Sequence, residues 1–211
     1  MSQYLPYLLA GLRLTVLLAV VSIVIGIGIG LAVALARLSR FVLLRAAAGL
    51  YVDIWRSTPF LAQILWVFFA LPILTGITFS AFAAGIITLS CNVGASLAEI
   101  FRAGILSLPA GQRQAALALG MTRRQALHRV VLPQAIGRVL PPIGSAFISL
   151  CKDTSLVSVI NLQELMWHAQ TLAGLTMRSV EALTAAGILY AVLTYPLTLL
   201  VNHLHRRHLA H

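Results

Sequence analysis

The sequence predicts an all-α, polytopic membrane helix bundle of about five transmembrane helices, and three observations carry that prediction. Of its 211 residues, 60% are hydrophobic and only 9% are charged, whereas a soluble domain averages about 25% charged residues. The mean hydropathy is +0.95, and apolar runs of bilayer-crossing length alternate with short basic clusters. The formal charge of +10 is scattered between those runs and does not form one face with interleaved aromatics. That argues against nucleic acid as a partner and marks the basic residues as topology signals.

In chain order, residues 1–11 form a lead with Tyr4, Pro6 and Tyr7, read as interfacial. The lead has no Lys or Arg, so no cleavable signal peptide is expected. The first span covers about 12–36. Ser22, Gly26, Gly30 and Ala34 recur along it every fourth residue, a small-residue seam where another helix can approach closely. The GIGIG run within it has the wrong spacing and context for a dinucleotide fingerprint. Arg37, Arg40 and Arg45 follow, then Asp53 and Arg56. Thr58-Pro59 opens a second span at about 59–75. From Ser57 to Ala98 no charged side chain occurs, a stretch too long for one crossing, and Leu71-Pro72 with Thr75-Gly76 supplies the break.

The third span, about 79–101, carries Thr88, Asn92, Ser96 and Glu99 at helical spacing. Polar stripes of this kind face either other helices or a water-filled path, so Asn92 and Glu99 are candidates for both. The fourth span, about 134–151, contains Arg138 and Pro141-Pro142. Its uncharged part from Val139 is short, which leaves Lys152 and Asp153 below the outer surface. With Thr154 and Ser155 they are candidates for a substrate pathway. An interfacial Lys-Asp pair snorkelling to water is the other reading. Residues 161–180 are mixed in character and read as external. The fifth span covers about 182–202, and the tail with His205, Arg206, Arg207, His208 and His211 reads as a basic anchor. Cys91 and Cys151 sit in apolar segments without metal-ligand or disulfide spacing.

The polar exception is the loop at 107–133. Pro109 suits a first helical turn, Gly111 to Leu119 is rich in helix formers, and Gly120 falls where a helix ends in a left-handed residue. Thr122 and Gln125 make a capping box for a second helix. Ala126, Leu127, Val130 and Val131 then form an apolar stripe, flanked by Arg123, Arg124, His128 and Arg129. Such a basic amphipathic hairpin can lie on anionic lipid or dock on a protein.

Gln114-Ala115-Ala116, then Gly120, then Leu132-Pro133 resemble the EAA loop of membrane subunits of ATP-binding-cassette (ABC) importers. Tyr51, Arg56, Thr58, Pro59 and Gln63, the run from Glu99 to Gly104, and Lys152 to Ile160 narrow the resemblance to permeases of polar amino-acid uptake. It implies a type I importer permease of five or so helices, paired with an identical or homologous second permease. It further implies ABC ATPase subunits, a solute-binding protein and a polar amino-acid substrate, in a bacterial cytoplasmic (inner) membrane. The loop would be the cytoplasmic coupling element, with Arg123 and Arg124 beside the motif residues. One departure stands out: the usual Glu of the motif is Gln114 here, so a hydrogen bond replaces any ion pair.

With the N-terminus outside and the C-terminus cytoplasmic, twelve of the fifteen basic residues fall inside, leaving Arg13, Lys152 and Arg178. That puts the loop in the cytoplasm. No cofactor is expected in this chain. A phosphate-cradling GxxxxGK[ST] loop needs a lysine after glycines, and the one lysine, Lys152, follows Leu150-Cys151; ATP and Mg²⁺ would therefore be bound by the partner ATPase. Two rival classes are weighed. An ion-coupled secondary transporter usually shows internal repeats, and none is found. A membrane enzyme needs a convergent nucleophile, base or metal cluster, whereas Glu99 and Asp153 are isolated in sequence.

Overall fold

The computed structural model describes residues 4–107, 110–126, 129–130 and 132–209. Pro109, Leu127, His128, Val131 and His211, singled out above, lie outside the described residues, as do the side chains of Arg123, Leu132, Arg207 and His208. Among the described residues there are ten α-helices and no strand.

α1 (Leu5–Arg37) begins earlier than the expected span, because the lead itself is helical. Pro6 sits in its first turn, where a missing N–H is harmless. Leu8 is buried against Leu165, Ala169 and Leu172, which holds that first turn in place. α1 packs most extensively on α5 (Ala81–Leu106). The small-residue seam makes this possible. A Cβ built at Gly26 would lie 2.5 Å from Val93 Cγ1, and one at Gly30 would lie 2.7 Å from Leu97 Cβ and 3.0 Å from the Gly94 carbonyl. Ser22, Gly26, Gly30 and Ala34 are all buried, while Val24, Ile25, Leu31 and Leu35 on the opposite faces are exposed. A helix apolar all round is stable in lipid, where buried contact comes from close packing and not from hydrophobic exclusion.

Between these helices runs a broken segment. α2 (Val42–Ser57) and the limb Phe60–Thr75 turn through 108° at Thr58-Pro59, and only together are they long and apolar enough to cross a membrane. The limb comprises α3 (Phe60–Leu65), a π-helical turn Trp66–Ala70, and α4 (Leu71–Thr75), which ends on left-handed Gly76. The stretch expected as the second span, about 59–75, is thus the second limb of a longer broken element. Arg56 lies in the last turn of α2, beside the break. The cause is local: the residue before a proline is pushed out of the helical region, and Thr58 is extended at φ −104°, ψ 143°.

α6 (Ala110–Ala118) and α7 (Arg123–Ala126) form the polar loop. α8 (Leu132–Asp153) contains Pro141 and Pro142 without a break and continues as a 3₁₀ helix, Thr154–Ile160. α9 (Leu165–Thr176) packs between α1 and α10 (Ser179–Leu209). Four helices have spanning length and composition: α1, α5, α8 with its 3₁₀ extension, and α10. The broken pair makes a fifth crossing when counted as one.

The seam gives a paired test. Apart from its chain neighbours and its own helix backbone, nothing lies within 4 Å of a Cβ at Gly28, which points to the opposite side of α1 from Gly30. Gly30→Val should therefore lower the thermal midpoint of the purified protein, by overpacking of about 1–3 kcal/mol, while Gly28→Val is near neutral. Equal midpoints for the two variants would mean that α1 and α5 do not approach as closely as described.

Candidate functional site

The polar loop is built by local hydrogen bonds. Gly120 has φ +82°, and its N–H bonds the Leu117 carbonyl at 3.0 Å while the Met121 N–H reaches the Ala116 carbonyl at 3.1 Å. That pair of bonds is a Schellman stop, which satisfies carbonyls that a helix end leaves free. Two residues later the Thr122 N–H donates to Gln125 Oε1 at 2.9 Å, and the Gln125 N–H donates to Thr122 Oγ1 at 3.2 Å, completing the capping box. The result is two short helices at a fixed corner. Ala116 and Ala126 are buried in it, while Gln114, Ala115, Gly120, Arg124 and Pro133 are exposed. Thr122, Arg124, Gln125 and Arg129 line a shallow cleft of about 480 Å³ on its surface. The base of the loop is closed by Arg138, whose guanidinium donates to the Ser107 carbonyl and, at 3.1 Å, to Ser107 Oγ. An exposed, rigid, basic corner is suited to docking in a preformed groove.

A second feature lies between α5, α8 and α10. A cavity of about 650 Å³ lies along them, lined among others by Asn92, Ile100, Pro141, Asp153 and His205. Ser96, Ser145 and Ser149 also face it. The volume is in the range of small-molecule pockets. Of the six candidates for a substrate pathway, the structure brings Asn92 and Asp153 together in this cavity. It places the other four elsewhere. Lys152 is exposed, Thr154 is buried and donates to the Cys151 carbonyl at 2.8 Å, and Ser155 donates to the Lys152 carbonyl at 2.7 Å. Glu99 binds Arg102 Nη2 at 2.9 Å and also pairs with Arg37, clasping the C-terminal ends of α1 and α5.

Asn92 has a second attachment. Its amide donates to Gln63 Oε1 at 2.8 Å, and Gln63 Nε2 donates to the Trp55 carbonyl at 2.8 Å and to Thr58 Oγ1 at 2.8 Å. Gln63 thereby covers the carbonyls left free where α2 stops, which in a membrane would otherwise cost several kcal/mol each. It ties the break to the wall of the cavity.

One buried acid was not singled out in the sequence. Glu164 is fully buried in the segment between the spans. Its Oε1 accepts from the Trp167 N–H at 2.8 Å as an N-cap, and its Oε2 accepts from Tyr190 Oη at 2.6 Å and from Thr15 Oγ1 at 3.4 Å. These bonds pin α9 to α1 and α10. The available signal was the cap position of Glu164 ahead of a helical run; its tertiary partners have none.

Comparison with known proteins gives one consistent picture. Residues 26–209 match the family model described as binding-protein-dependent transport system inner membrane component. The chain is 37% identical to the L-cystine transport system permease protein TcyB of Bacillus subtilis, covering 98% of this chain and 88% of that one. It is 34% identical to the glutamine transport system permease protein GlnP of Escherichia coli, covering 96% and 93%. Among solved structures it is similar to a chain of an amino acid ABC transporter crystallised with histidines, at TM-score 0.91 and 35% identity, over 98% of this chain and 96% of that one.

Burial holds the Glu164 carboxyl above its ordinary value of 4.5, and the hydrogen bonds from Tyr190, Trp167 and Thr15 only partly oppose it. A raised acid keeps its proton in the folded state after the unfolded chain has lost it. Stability should therefore fall as pH rises from 4.5 through the raised value, and level off above it. Glu164→Gln should remove that slope from the thermal midpoint measured between pH 4 and 8. Parallel midpoint curves for wild type and variant would refute the assignment.

Proposed function

The chain belongs to the binding-protein-dependent transport system inner membrane components, and from that premise we propose that it moves a polar amino acid as the membrane-spanning permease subunit of an ATP-driven ABC importer. The observation that carries this reading is likeness over almost the whole chain to amino-acid transport permeases, in sequence and in fold. It is a multi-pass membrane protein. The chemistry it performs is not bond-breaking: it offers a path and a moving bundle, and the free energy comes from ATP bound by separate ATPase subunits.

The corner at Gly120 is the coupling element in this reading. Gln114, Ala115, Ala116, Gly120, Arg123, Arg124, Leu132 and Pro133 meet the ATPase, with Gln114 offering a hydrogen bond where related loops carry a glutamate. Arg138 anchors the corner to the ends of α5 and α8, so a push on the loop reaches the helices that line the cavity. The cavity along α5, α8 and α10 is the solute path in its inward-open position, lined by Asn92 and Asp153. A second permease, identical or homologous, completes the path, and a solute-binding protein loads it from outside. Two positions of one bundle, biased by ATP and by the loaded binding protein, make the cycle. The basic clusters set the orientation: N-terminus outside, C-terminus and loop in the cytoplasm of a bacterial inner membrane.

Two experiments test this. In a background lacking Cys91 and Cys151, single cysteines at Gly76 and Gln170 should react with an impermeant reagent from outside, and one at Gly120 only after the membrane is opened. Reaction at Gly120 in intact cells would end the importer reading. In reconstituted membranes, Gly120→Val should leave the protein inserted but weaken ATPase capture and solute-stimulated hydrolysis, because a left-handed L-residue costs about 1–2 kcal/mol and a β-branched one more. Gln114→Glu should couple normally. Undiminished capture and stimulation in Gly120→Val would show that the loop is not the coupling element.

A further inference from the structure

Glu164 is a buried acid that the transport path does not use. It is fully buried at the corner between the 3₁₀ extension of α8 and the start of α9. Three elements converge on its side chain. Oε1 accepts from the Trp167 N–H of α9, and Oε2 meets Tyr190 Oη of α10 at 2.6 Å and Thr15 Oγ1 of α1 at 3.4 Å. Every one of these donors is neutral. On α1, Arg13 is exposed and Arg37 is held by Glu99. On α10, Glu181 and Arg206 are exposed, and α9 contributes only His168.

The hydrogen-bond pattern suits a neutral acid. Thr15 has one hydroxyl proton and two acceptors in reach, the Gly11 carbonyl at 3.2 Å and Glu164 Oε2. Its oxygen already accepts from the Leu165 N–H at 3.2 Å. A proton on Glu164 Oε2 completes the set: it goes to Thr15 Oγ1, the Thr15 proton goes to Gly11, and Tyr190 still donates to the carboxyl. Without that proton a full negative charge is buried among neutral groups, a state that lasts only where the surroundings move or admit water. Burial accordingly holds this carboxyl above its ordinary value.

The corner also has no slack against α1. A Cβ at Gly11 would lie 2.9 Å from the Glu164 carbonyl and from Leu165 Cα, and 2.7 Å from His168 Nδ1, so backbone meets backbone there. His168, the other titratable group at the corner, donates from Nδ1 to the Glu164 carbonyl at 3.0 Å and packs on Tyr7 and Trp167. Neutral or charged, its ring offers that same Nδ1–H, so its titration leaves the bond in place. The titration of Glu164 does not.

Resting on the permease reading above, we propose that Glu164 is a proton-operated clasp on the transport cycle. With the acid neutral, α9 is locked to α1 and α10 and the bundle holds the position described here. With the acid ionised, the corner releases and those two spanning helices are free to shift. Solute-stimulated hydrolysis by the partner ATPase therefore rises as pH rises through the titration of this one group. A single proton allows at most about a tenfold change in the locked-to-released ratio per pH unit.

The test uses the permease–ATPase complex in lipid nanodiscs, with its binding protein loaded from a mixture of the proteinogenic amino acids. Wild-type hydrolysis is divided by that of Glu164→Gln at each pH between 5 and 8, which cancels the pH dependence of the partners. Glutamine keeps the neutral form and a donor to Thr15. The ratio should be near one at the acid end and climb severalfold towards the alkaline end, with the slope of a single proton. Hydrogen exchange of the α9 amides should be faster in wild type than in the variant at the alkaline end only. Tyr190→Phe removes a donor to Oε2 and should displace the rise in stimulated hydrolysis to higher pH, a check that stands even where Glu164→Gln fails to assemble. His168→Asn, which keeps a donor to the Glu164 carbonyl, should leave the rise in place. A flat ratio, equal exchange of α9 at both ends, an unmoved curve in Tyr190→Phe, or a rise lost in His168→Asn would overturn the proposal. Where loaded binding protein stimulates wild type and the ratio is flat, this inference fails alone. Where it stimulates wild type at no pH, the permease reading fails with it.

Discussion

The close approach of α1 to α5 is the constraint from which the other contacts follow. In lipid there is no exclusion of apolar surface to press helices together, so packing must come from shape. Gly26 and Gly30 remove the side chains that would strike Val93, Leu97 and the Gly94 carbonyl. Once the two axes are this close, their C-terminal ends bring Arg37 onto Glu99. Tyr51 on α2 reaches the Cys91 carbonyl at 2.6 Å from the neighbouring groove, and α2 packs against both helices. A bulky residue in the seam would move the frame on which the break and the cavity are mounted.

Polar groups inside this bundle fall into two kinds. Glu99, Gln63 and Glu164 are consumed: each has donors or cations that match its lone pairs, and each ties two or more elements together. Buried polar groups satisfied in this way fix geometry. Asp153 and the hydroxyls of Ser96 and Ser149 face a cavity instead. The proline pair belongs with them, because Pro141 and Pro142 lack the backbone N–H that would continue the α8 ladder and both line the same cavity. The part of α8 that forms the wall therefore lacks two of the backbone donors of a regular helix.

The loop and the cavity share α5 and α8. Ser107 ends α5, Arg138 is in the first third of α8, and their contact closes the ring around the Gly120 corner. A rigid Schellman stop followed at once by a capping box leaves the corner little freedom.

The sequence by itself determined what depends on near neighbours along the chain. Spans follow from apolar length, and the corner at Gly120, Thr122 and Gln125 follows from bonds no longer than one or two helical turns. The seam at Gly26 and Gly30 was visible as a seam, because periodicity shows that a face is small. Which helix fills it was not visible. The tertiary structure alone decided that Glu99 is spent on Arg37, that Gln63 closes the break and holds Asn92, and that Asp153 lines a cavity. It also decided that Glu164, paired with Thr15 across 149 positions, pins α9. Charge and hydropathy state that a polar group in lipid must be satisfied; they do not state by whom, because the partner is chosen by how helices far apart in sequence are rotated and brought together.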